Sequence, residues 1–470
     1  MTPLGQLPFF IDFLKASGLF NALVADCPLR YLSPNAPSKR DVLGTAMLSM
    51  LAGHRRYAHI AALRCDAVLP ELLGMKRIVS EDAVRRGFKA IDEAEGAAWL
   101  RGHLGFCVEP LIAEPWILDV DTTIKPLYGH QEGAVLGYNP KKPGRPSHCY
   151  HTYSMASTRL VLDVDVSPGD EHTSKHSAPS LWALLDRLPR DLWPALLRGD
   201  CGFGNEGIMR EAEARELAFL FKLRLTANVK RMIEKLSCAP EWVDAGQGFE
   251  AKESEVRLVG WSRKRRVIVL RRRLKDAVGL SLSEDGGAPQ LAFVEIGAAT
   301  EVYEYSVVVT SLDETPEAFG QLYRDRGDGE NIFDEMKNQW GWGGYTTHDL
   351  ARCRLAARLL ALIYNWWNIF VRLADPRLHR EAITSRPLLL QAIGRQTQHA
   401  GQTTITITSP HGNHHRARRA FVRIARFFAQ LRQTAEQLTD LDRWYRILSF
   451  ALVKYLKGRQ LDPPRRLQQA

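Results

Sequence analysis

At 470 residues, the chain exceeds the length at which one hydrophobic core stops growing, so we expect two or three structural units. Hydrophobic residues make up 45% of the chain and charged residues 25%, which excludes a disordered or fibrous protein. The formal net charge of +10 favours a polyanionic partner, with nucleic acid ahead of a membrane surface.

The cysteine spacing and the apolar runs indicate the cellular compartment. Seven cysteines are scattered and never form a Cys-x-x-Cys pair, so neither a zinc site nor a disulfide framework is expected. The N-terminus lacks the basic-then-apolar order of a signal peptide, and the most apolar run, residues 359–371, is too short to span a bilayer. We therefore expect a cytoplasmic protein with no membrane partner.

The first 108 residues predict a helical region, with helices at 9–23, 39–52, 58–63 and 80–95. The last of these begins with Ser80 as a plausible N-cap, followed by acids in the first turn. It carries Arg85, Arg86 and Lys89, which suits a helix that reads the DNA major groove, although a solvated helix face explains the same charges. The region is a candidate DNA-binding domain.

From Trp116 the pattern changes to strands, in the segments WILDVDTTI, HCYHTYSMA and LVLDVDVSP. Helix and strand then alternate through a helix at 180–188, the apolar run ALLRGD, a helix at 206–217 and the strand AFLFKLRLT. This alternation predicts a mixed α/β sheet that is covered on both faces.

Residues 227–316 predict a β unit without clear helices after the first turn. Its expected strands are EVRLVGW, RRVIVLRRR, QLAFVEI and VYEYSVVVT, with a Gly-rich turn at 284–288. Beyond it, the pattern predicts helices at 316–345 and 350–374 and a basic helical tail at 421–457.

Candidate catalytic carboxylates lie on the first predicted strand and at the end of a later one. Asp119 and Asp121 are two residues apart on one strand and so project from the same face. Asp200 closes the apolar run ALLRGD, at the sheet edge where active sites of open α/β sheets gather. A strand Asp is more often an ion-pair residue, and Asp200 could also cap the helix that follows it, so their function depends on partners.

A third candidate acid, Glu330, lies in a row with a tyrosine and two cations. Tyr323, Arg326, Glu330 and Lys337 have offsets of 0, 3, 7 and 14, which would bring all four to one face of a continuous helix. One acid beside two cations and a tyrosine suits a metal ligand next to bound phosphates. Gly327 and Gly329 weaken the first turn, so the helix could start near residue 328.

The spacing Tyr323-x2-Arg326-x3-Glu330-x6-Lys337 resembles the YREK signature of bacterial insertion-sequence transposases of the DDE class, the IS-four-like group. The stretches LDVDTTIKPLYGHQEG, GYNPKKPGRPSH, LRGDCGFG and ENIFDEMKNQWGWGG are similar to its IS-thirteen-eighty branch. The resemblance covers residues from about 40 to 375.

This resemblance implies a ribonuclease-H-like catalytic core interrupted by a β-rich insertion between the second Asp and the Glu. The expected organisation is a helical N-terminal domain at 1–108, a first core part at 109–226, the insertion at 227–316, a second core part with the YREK helix at 317–375, and a basic helical C-terminal region at 376–470.

The resemblance also implies that Asp121, Asp200 and Glu330 are the catalytic metal ligands. An Asp-x-Thr element on the first strand matches Asp121 better than Asp119, and Asp163 and Asp165 on a neighbouring strand are decoys. Three carboxylates suit two Mg²⁺ ions, with Mn²⁺ as a substitute, because these ions need hard oxygen ligands and open positions for substrate. By the same similarity, Tyr323, Arg326 and Lys337 would bind DNA phosphates.

Other cations are candidate DNA contacts. Arg265 and Arg266 belong to a dense run of cations around the apolar VIVL, although edge strands also carry cations to prevent aggregation. Lys141 and Lys142 lie in the loop GYNPKKPGRP, which could approach the active site or simply connect two strands. His148 and His151 have the spacing of a metal clip but face opposite sides of a strand, so a structural role is expected.

The leading hypothesis is therefore a Mg²⁺-dependent transposase, in the bacterial cytoplasm at the nucleoid. It would cleave insertion-sequence ends and join them to target DNA, with a homodimer holding the two ends. The alternatives are an inactive or domesticated copy that binds terminal repeats, and a general nuclease of the same fold.

Overall fold

The computed structural model describes residues 1–31, 33–112, 115–139, 142–171, 174–273, 292–293, 303–408, 412, 414–433 and 438–463. Lys141, the Gly-rich turn at 284–288 and most of the expected strand QLAFVEI lie outside these residues. The chain forms two compact units, one of Met1–Leu111, Thr158–Val164 and Ile332–Ala470, and one of Ile112–Ser157 and Asp165–Asn331. The division into five domains predicted from the sequence stays a prediction.

The first unit is mainly helical. Its helices are α1 (Leu7–Ser17), α2 (Leu19–Asp26), α3 (Lys39–Leu51), a 3-10 helix (Tyr57–Leu63), α4 (Val68–Leu72), α5 (Glu81–Lys89), α6 (Glu93–Ile112), α12 (Leu350–Ala374), α13 (Ala382–Leu389), α14 (His414–Gln433) and α15 (Asp440–Ala451). Ser80 caps α5 as predicted, since its side chain accepts a hydrogen bond from the Ala83 backbone N–H. The predicted helix at 80–95 is two helices, because α5 ends at Lys89 and α6 starts at Glu93.

Helix α12 is the core helix of this unit and has the predicted bounds. It is buried from Leu355 to Ala374, including Trp366 and Trp367. The Asn365 side chain accepts a hydrogen bond from the Val161 N–H at 2.9 Å and donates one to the Val161 C=O at 2.7 Å. A buried amide satisfied on both sides fixes this short strand segment against the helix.

The same unit contains a two-stranded hairpin that the sequence analysis missed. Strands β12 (Ile393–His399) and β13 (Gln402–Thr408) pair with each other in an antiparallel ladder, apart from the large sheet. The predicted basic tail at 421–457 is also different, since the structure has two helices, α14 and α15, in that region.

The second unit contains the large sheet. Its strands are β1 (Ile117–Pro126), β2 (Val135–Leu136), β3 (Pro146–Met155), β4 (Leu160–Pro168, which begins in the first unit), β5 (Leu196–Gly199), β6 (Phe219–Lys222), β7 (Val243–Asp244), β8 (Phe249–Val256), β9 (Arg265–Arg273), β10 (Ala292–Phe293) and β11 (Tyr303–Thr310). Its helices are α7 (Ser174–Leu185), a 3-10 helix (Arg190–Leu192), α8 (Glu206–Ala214), α9 (Ala227–Ser237), α10 (Pro316–Asp325) and the first part of α11 (Gly327–Gln339).

The sheet is mixed, which confirms the predicted α/β class. Its order is β2-β3-β1-β5-β6-β11-β9-β8-β7, with β4 beside β3 and β10 beside β11. Strand β5 runs parallel to both β1 and β6, whereas the other pairs described along this order are antiparallel. In this parallel centre, β5 ends at Gly199 opposite Val120, and β1 continues to Pro126.

The β-rich region at 227–316 continues the large sheet, because β11 pairs with β6 and carries β9, β8 and β7. It opens with helix α9, where the sequence analysis expected no clear helix beyond one turn. Val229 and Ile233 are the buried residues of this helix, and their spacing of four is the apolar stripe that stabilises it.

No single helix among the described residues is long and apolar enough to cross a membrane. The bent pair α1 and α2, which meet at 67°, would pass that test by length and composition.

Candidate active site

Asp119 on β1 and Arg198 on β5 form a buried ion pair at the centre of the sheet. The Arg198 Nε donates to Asp119 Oδ1 at 2.7 Å, and its Nη2 donates to Oδ2 at 2.8 Å. The residues are 5% and 1% exposed. Both carboxylate oxygens of Asp119 are therefore bound by one guanidinium, in the bidentate geometry that arginine favours.

Arg198 also holds the end of helix α10. Its Nη1 donates to the C=O of Leu322 at 3.0 Å, and its Nη2 reaches the C=O of Asp325 at 3.3 Å. These carbonyls belong to the last turn of the helix, where backbone acceptors have no partner within the helix. The guanidinium thus joins β1, β5 and α10, and it fixes the segment that carries Tyr323 and Arg326.

Asp121, within β1, and Asp200, just after the carboxyl end of β5, are neighbours across the two parallel strands. The register pairs Asp119 with Arg198 and Val120 with Gly199, so each acid comes one residue after the last pair. Neighbouring strands are about 4.8 Å apart, which brings two carboxylates within reach of a shared cation.

Each of these carboxylates is oriented by a backbone N–H. Asp121 Oδ1 accepts from the Thr122 N–H at 2.6 Å, and Asp200 Oδ1 accepts from the Gly202 N–H at 2.8 Å. Both side chains are partly exposed, unlike Asp119. The sheet edge therefore presents two oriented acidic groups to solvent.

The predicted continuous YREK helix is interrupted. Helix α10 ends at Asp325, Arg326 is its C-cap, and α11 begins at Gly327. Two glycines in the first turn of α11 explain the break, because glycine disfavours the helix interior. The prediction of one helix through all four residues is wrong, but Glu330 and Lys337 do share α11.

The first turn of α11 approaches Asp119. A Cβ atom built on Gly329 would lie 3.8 Å from Asp119 Oδ2, so the backbone next to Glu330 adjoins the face from which Asp119 and Asp121 project. The side chain of Glu330 is outside the described part of the structure. Lys337 is partly buried and lies two turns further along the helix.

Tyr323 and Arg326 lie beside the end of β5. They line a small cavity together with Lys222 and Gly199, the residue before Asp200. The Tyr323 hydroxyl is 3.0 Å from the Ser306 Oγ, and the Lys222 Nζ is 5.9 Å from the centre of the tyrosine ring. Two of the predicted phosphate ligands are thus near one of the predicted metal ligands.

The chemistry of this edge suits a divalent cation. Carboxylate oxygens are the hard ligands that Mg²⁺ prefers, and Asp121 with Asp200 supplies two of them. Among the described side chains there is no group of three or more His, Cys, Asp or Glu that could hold a metal ion. Because this set excludes the Glu330 side chain, the predicted three-acid cluster stays a prediction.

Comparison with known proteins identifies the family. The model of a family described as Transposase DDE domain group 1 matches residues 33–429. The chain belongs to this transposase family. No curated protein matches the transposase chain.

Among solved structures, a match is the cryo-EM structure of the piggyBac transposase synaptic complex with hairpin DNA. The identity is 11% and the TM-score 0.34, over 99% of this chain and 87% of that chain. A likeness of this size supports no inference about mechanism.

Two residues that sequence reasoning missed belong to this site, Arg198 and Lys222. A charged residue within the apolar run ALLRGD is a signal that could have found Arg198, because a buried arginine requires a carboxylate partner. Lys222 is likewise a charged residue at the end of an apolar run, since it follows the three buried residues of β6.

The other acids and histidines considered from the sequence have structural partners. Asp163 is buried and accepts hydrogen bonds from Arg101 at 2.7 Å and Arg358 at 3.0 Å. His148 Nε2 lies 2.8 Å from the Glu132 C=O, and His151 Nδ1 lies 2.9 Å from the Thr122 Oγ1. The two histidines are buried, as expected for structural residues.

Of the predicted DNA contacts on α5, Arg86 and Lys89 are exposed, and Arg85 binds Asp82 of the preceding turn. Lys142 is exposed, and its ammonium group contacts the hydroxyl and the ring of Tyr128. These positions are open to a large partner.

Arg265 and Arg266 are already bound within the sheet unit. Arg265 is 5% exposed and donates to Glu206 at 2.6 Å and to Glu213 at 2.7 Å. Arg266 binds both carboxylate oxygens of Glu253, at 2.8 and 2.7 Å. A DNA-binding role for these two arginines would require the ion pairs to open.

Proposed function

We propose that the chain is a DNA transposase that cleaves insertion-sequence ends and joins them to target DNA by two-metal phosphoryl transfer. Asp121, Asp200 and Glu330 are the metal ligands in this proposal, on a ribonuclease-H-like core. DNA is the substrate, and a homodimer brings the two ends together.

The observation that supports this best is the parallel register of β1 and β5. It makes Asp121 and Asp200 neighbours at the carboxyl end of β5, and open α/β sheets carry their active sites beyond such strand ends. The bidentate ion pair with Arg198 favours Asp121 over Asp119 as the first ligand, since both oxygens of Asp119 already accept hydrogen bonds.

The three carboxylates would hold two Mg²⁺ or Mn²⁺ ions, which when bound would activate the attacking oxygen and stabilise the departing one. Within the protein, the backbone N–H groups of Thr122 and Gly202 orient the two aspartates before metal arrives. Oriented ligands reduce the entropy that must be lost when an ion binds.

Tyr323, Arg326 and Lys337 are the proposed phosphate contacts near the cleaved end. Arg198 is a positioning residue in this scheme, because it ties the last turn of α10 to Asp119. Lys222 extends the cationic surface beside Tyr323. Hydrogen bonds to phosphates would fix the register of the DNA without selecting its sequence.

The decisive experiment is a nicking assay on DNA that carries the two ends flanking this coding sequence. With Mg²⁺, the unmodified chain should nick at the ends, and Asp200→Ala should abolish nicking while the chain still binds DNA. Asp191→Ala, an exposed acid in the same unit, is the matched control and should nick normally.

Each alternative predicts a different result in that assay. Sequence-specific binding without nicking by the unmodified chain would indicate an inactive or domesticated DNA-binding protein. Nicking that ignores the end sequence would indicate a general nuclease. Full activity of Asp200→Ala would contradict the proposed metal site itself.

A further inference from the structure

We propose that the hairpin of β12 and β13 reads duplex DNA through its outer face, with the arginines of α14 binding the phosphate backbone. This inference rests on the proposed function, in which DNA is the substrate. The surface belongs to the helical unit and shares no residue with the candidate active site.

The charge composition of this segment is one-sided. Between Glu381 and Glu436 the sequence contains no Asp or Glu. The arginines in the same segment are Arg386, Arg395, Arg416, Arg418, Arg419, Arg423, Arg426 and Arg432. A stretch with cations and no acids favours a polyanion over a protein partner of mixed charge.

The hairpin is held firmly at its base. Thr2 and Gly394 exchange backbone hydrogen bonds of 2.9 Å in both directions. A Cβ atom on Gly5 would lie 2.6 Å from the Gly394 nitrogen, so the N-terminal segment packs directly against the strand. At the other end, Ala400 and Gly401 form the turn with φ of 49° and 77°. Positive φ at both turn residues matches the right-handed twist of a two-residue hairpin.

The two faces of the hairpin differ. The inner face includes Gln396, Ile405 and Ile407, which are partly buried, and Gln396 donates to Glu71 at 2.7 Å. The outer face is exposed along its whole length and consists of Ile393, Arg395, Thr397, His399, Gln402, Thr404, Thr406 and Thr408. A row of exposed β-branched and hydrogen-bonding residues contributes nothing to the core and needs another explanation.

Base recognition explains that composition. The major groove admits a two-stranded ribbon, and its base edges offer donors, acceptors and thymine methyl groups. Arginine pairs with guanine, glutamine pairs with adenine, and threonine methyls contact thymine. Arg395 and Gln402 can therefore make hydrogen bonds that distinguish bases, with the threonines between them filling the groove.

Helix α14 is the next helix along the chain after β13, and in this proposal its exposed arginines provide the positive charge that the ribbon lacks. Its buried side includes Phe421, Ile424 and Phe428. Arg416, Arg418, Arg419, Arg426 and Arg432 are exposed, and none of them has a carboxylate partner in the part of the chain that the structure describes. Arg423 donates to the Ala374 C=O. Arginines spread over the exposed surface of a helix, with Arg419 and Arg426 two turns apart on one face, suit contacts with phosphates.

The test is selection from a pool of duplex DNA with randomised sequence, using the full chain with Asp200→Ala so that no cleavage occurs. The sequences it retains should be enriched at specific base positions. Arg395→Ala and Gln402→Ala, on the outer face, should each lose the preference at one position, a guanine for Arg395. Gln398→Ala, an exposed glutamine on the inner face, is the control and should retain every preference.

Unchanged preferences in both outer-face variants would overturn the proposal, as would equal loss in the Gln398→Ala control. Loss of self-association in the outer-face variants, with base preferences intact, would show that the ribbon binds a second copy instead. Thermal unfolding should be unchanged in all three variants, since the altered side chains are exposed. Because only binding is measured, failure here leaves the nicking test of Asp200 unaffected.

Discussion

The arginines of the sheet and those of helix α14 have opposite surroundings. In the sheet, Arg198, Arg265 and Arg266 each bind a carboxylate of the same unit. On α14, Arg419 and Arg426 are exposed and have no acidic partner among the described residues. The first group contributes to folding, whereas the second leaves its charge available to a partner.

The local density of cations along the sequence therefore does not predict free positive charge. The run around VIVL in β9 is denser than α14, yet the neighbouring strand β8 carries Glu250 and Glu253, which bind Arg271 and Arg266. A cation on a strand is neutralised by acids across the ladder. A helix from an acid-free segment keeps its charge.

The largest effect is expected at Arg198. Replacing it with alanine removes the guanidinium that binds both oxygens of the buried Asp119 and donates to two helix-end carbonyls, at a cost of about 3 to 5 kcal/mol of unfolding free energy. Chemical denaturation measures this loss. Arg210→Ala, an exposed arginine of α8, is the matched control and should change stability by less than about 0.5 kcal/mol.

A double variant separates positioning from stability at this site. Arg198→Met combined with Asp119→Leu removes both buried charges, so it should recover much of the stability lost in Arg198→Ala. Nicking should stay impaired, because the last turn of α10 would still lack the hydrogen bonds from Arg198. Recovery of both properties together would mean that Arg198 acts on stability alone.

Arg265→Ala is expected to cost about 2 to 3 kcal/mol, since Glu213 retains a second partner in Arg263. The effect depends on pH. Hydrogen bonding from Arg265 lowers the pKa of the Glu206 carboxyl from its ordinary 4.5 to about 2. A carboxyl group whose pKa is lower in the folded state stabilises the fold fully when the pH is above its pKa in the unfolded state. This stabilisation is lost as the pH falls toward the pKa in the folded state.

The difference in unfolding free energy between the unmodified chain and Arg265→Ala should therefore be constant above pH 4.5 and shrink toward pH 2. Denaturation curves across that range measure it. A difference that grows with acid would contradict the ion pair. Glu206→Gln, which removes the titrating group, should flatten much of the pH dependence.

Periodic apolar patterns predicted much of the fold. The bounds of α12 and β9 match the expected helix at 350–374 and the segment RRVIVLRRR. Both elements were predictable because each contains an uninterrupted run of apolar residues. The local signal for the hairpin is confined to β13, where threonine alternates with Ile405 and Ile407, because Ile393 is the one large apolar residue of β12. The pairing of the two strands depends on the turn at Ala400 and on contacts with the distant N-terminus, which no local pattern encodes.

The site was predictable to a similar degree. The sequence placed Asp121 on a strand and Asp200 at the end of another, which are positions typical of an active site of an open α/β sheet. The ion pair of Asp119 with Arg198 was not predictable, because it depends on the pairing of β1 with β5. The break between α10 and α11 is a local glycine effect that the sequence already indicated. The partners of Arg265 lie on α8, more than fifty residues away, and only the fold brings them together.

Arg266→Ala should have a smaller effect, about 1 kcal/mol, because its partner Glu253 is 46% exposed. The measurement is again chemical denaturation. If Arg266 is a structural cation, its removal should weaken binding to random-sequence duplex DNA no more than Arg210→Ala does. A clearly greater loss of DNA affinity would show that the ion pair opens for phosphate, as the sequence analysis predicted.

The smallest effect on stability is expected for the double variant Arg419→Ala and Arg426→Ala. Both side chains are exposed, two turns apart on α14, so unfolding should change by less than about 0.5 kcal/mol. DNA binding should respond strongly, because each lost phosphate contact lowers the slope of log affinity against log salt by about 0.9. The double variant should therefore reduce that slope by about 2, while Arg265→Ala, which destabilises the fold far more, leaves it unchanged. If both variants shifted the salt slope equally, the division between folding arginines and binding arginines would fail.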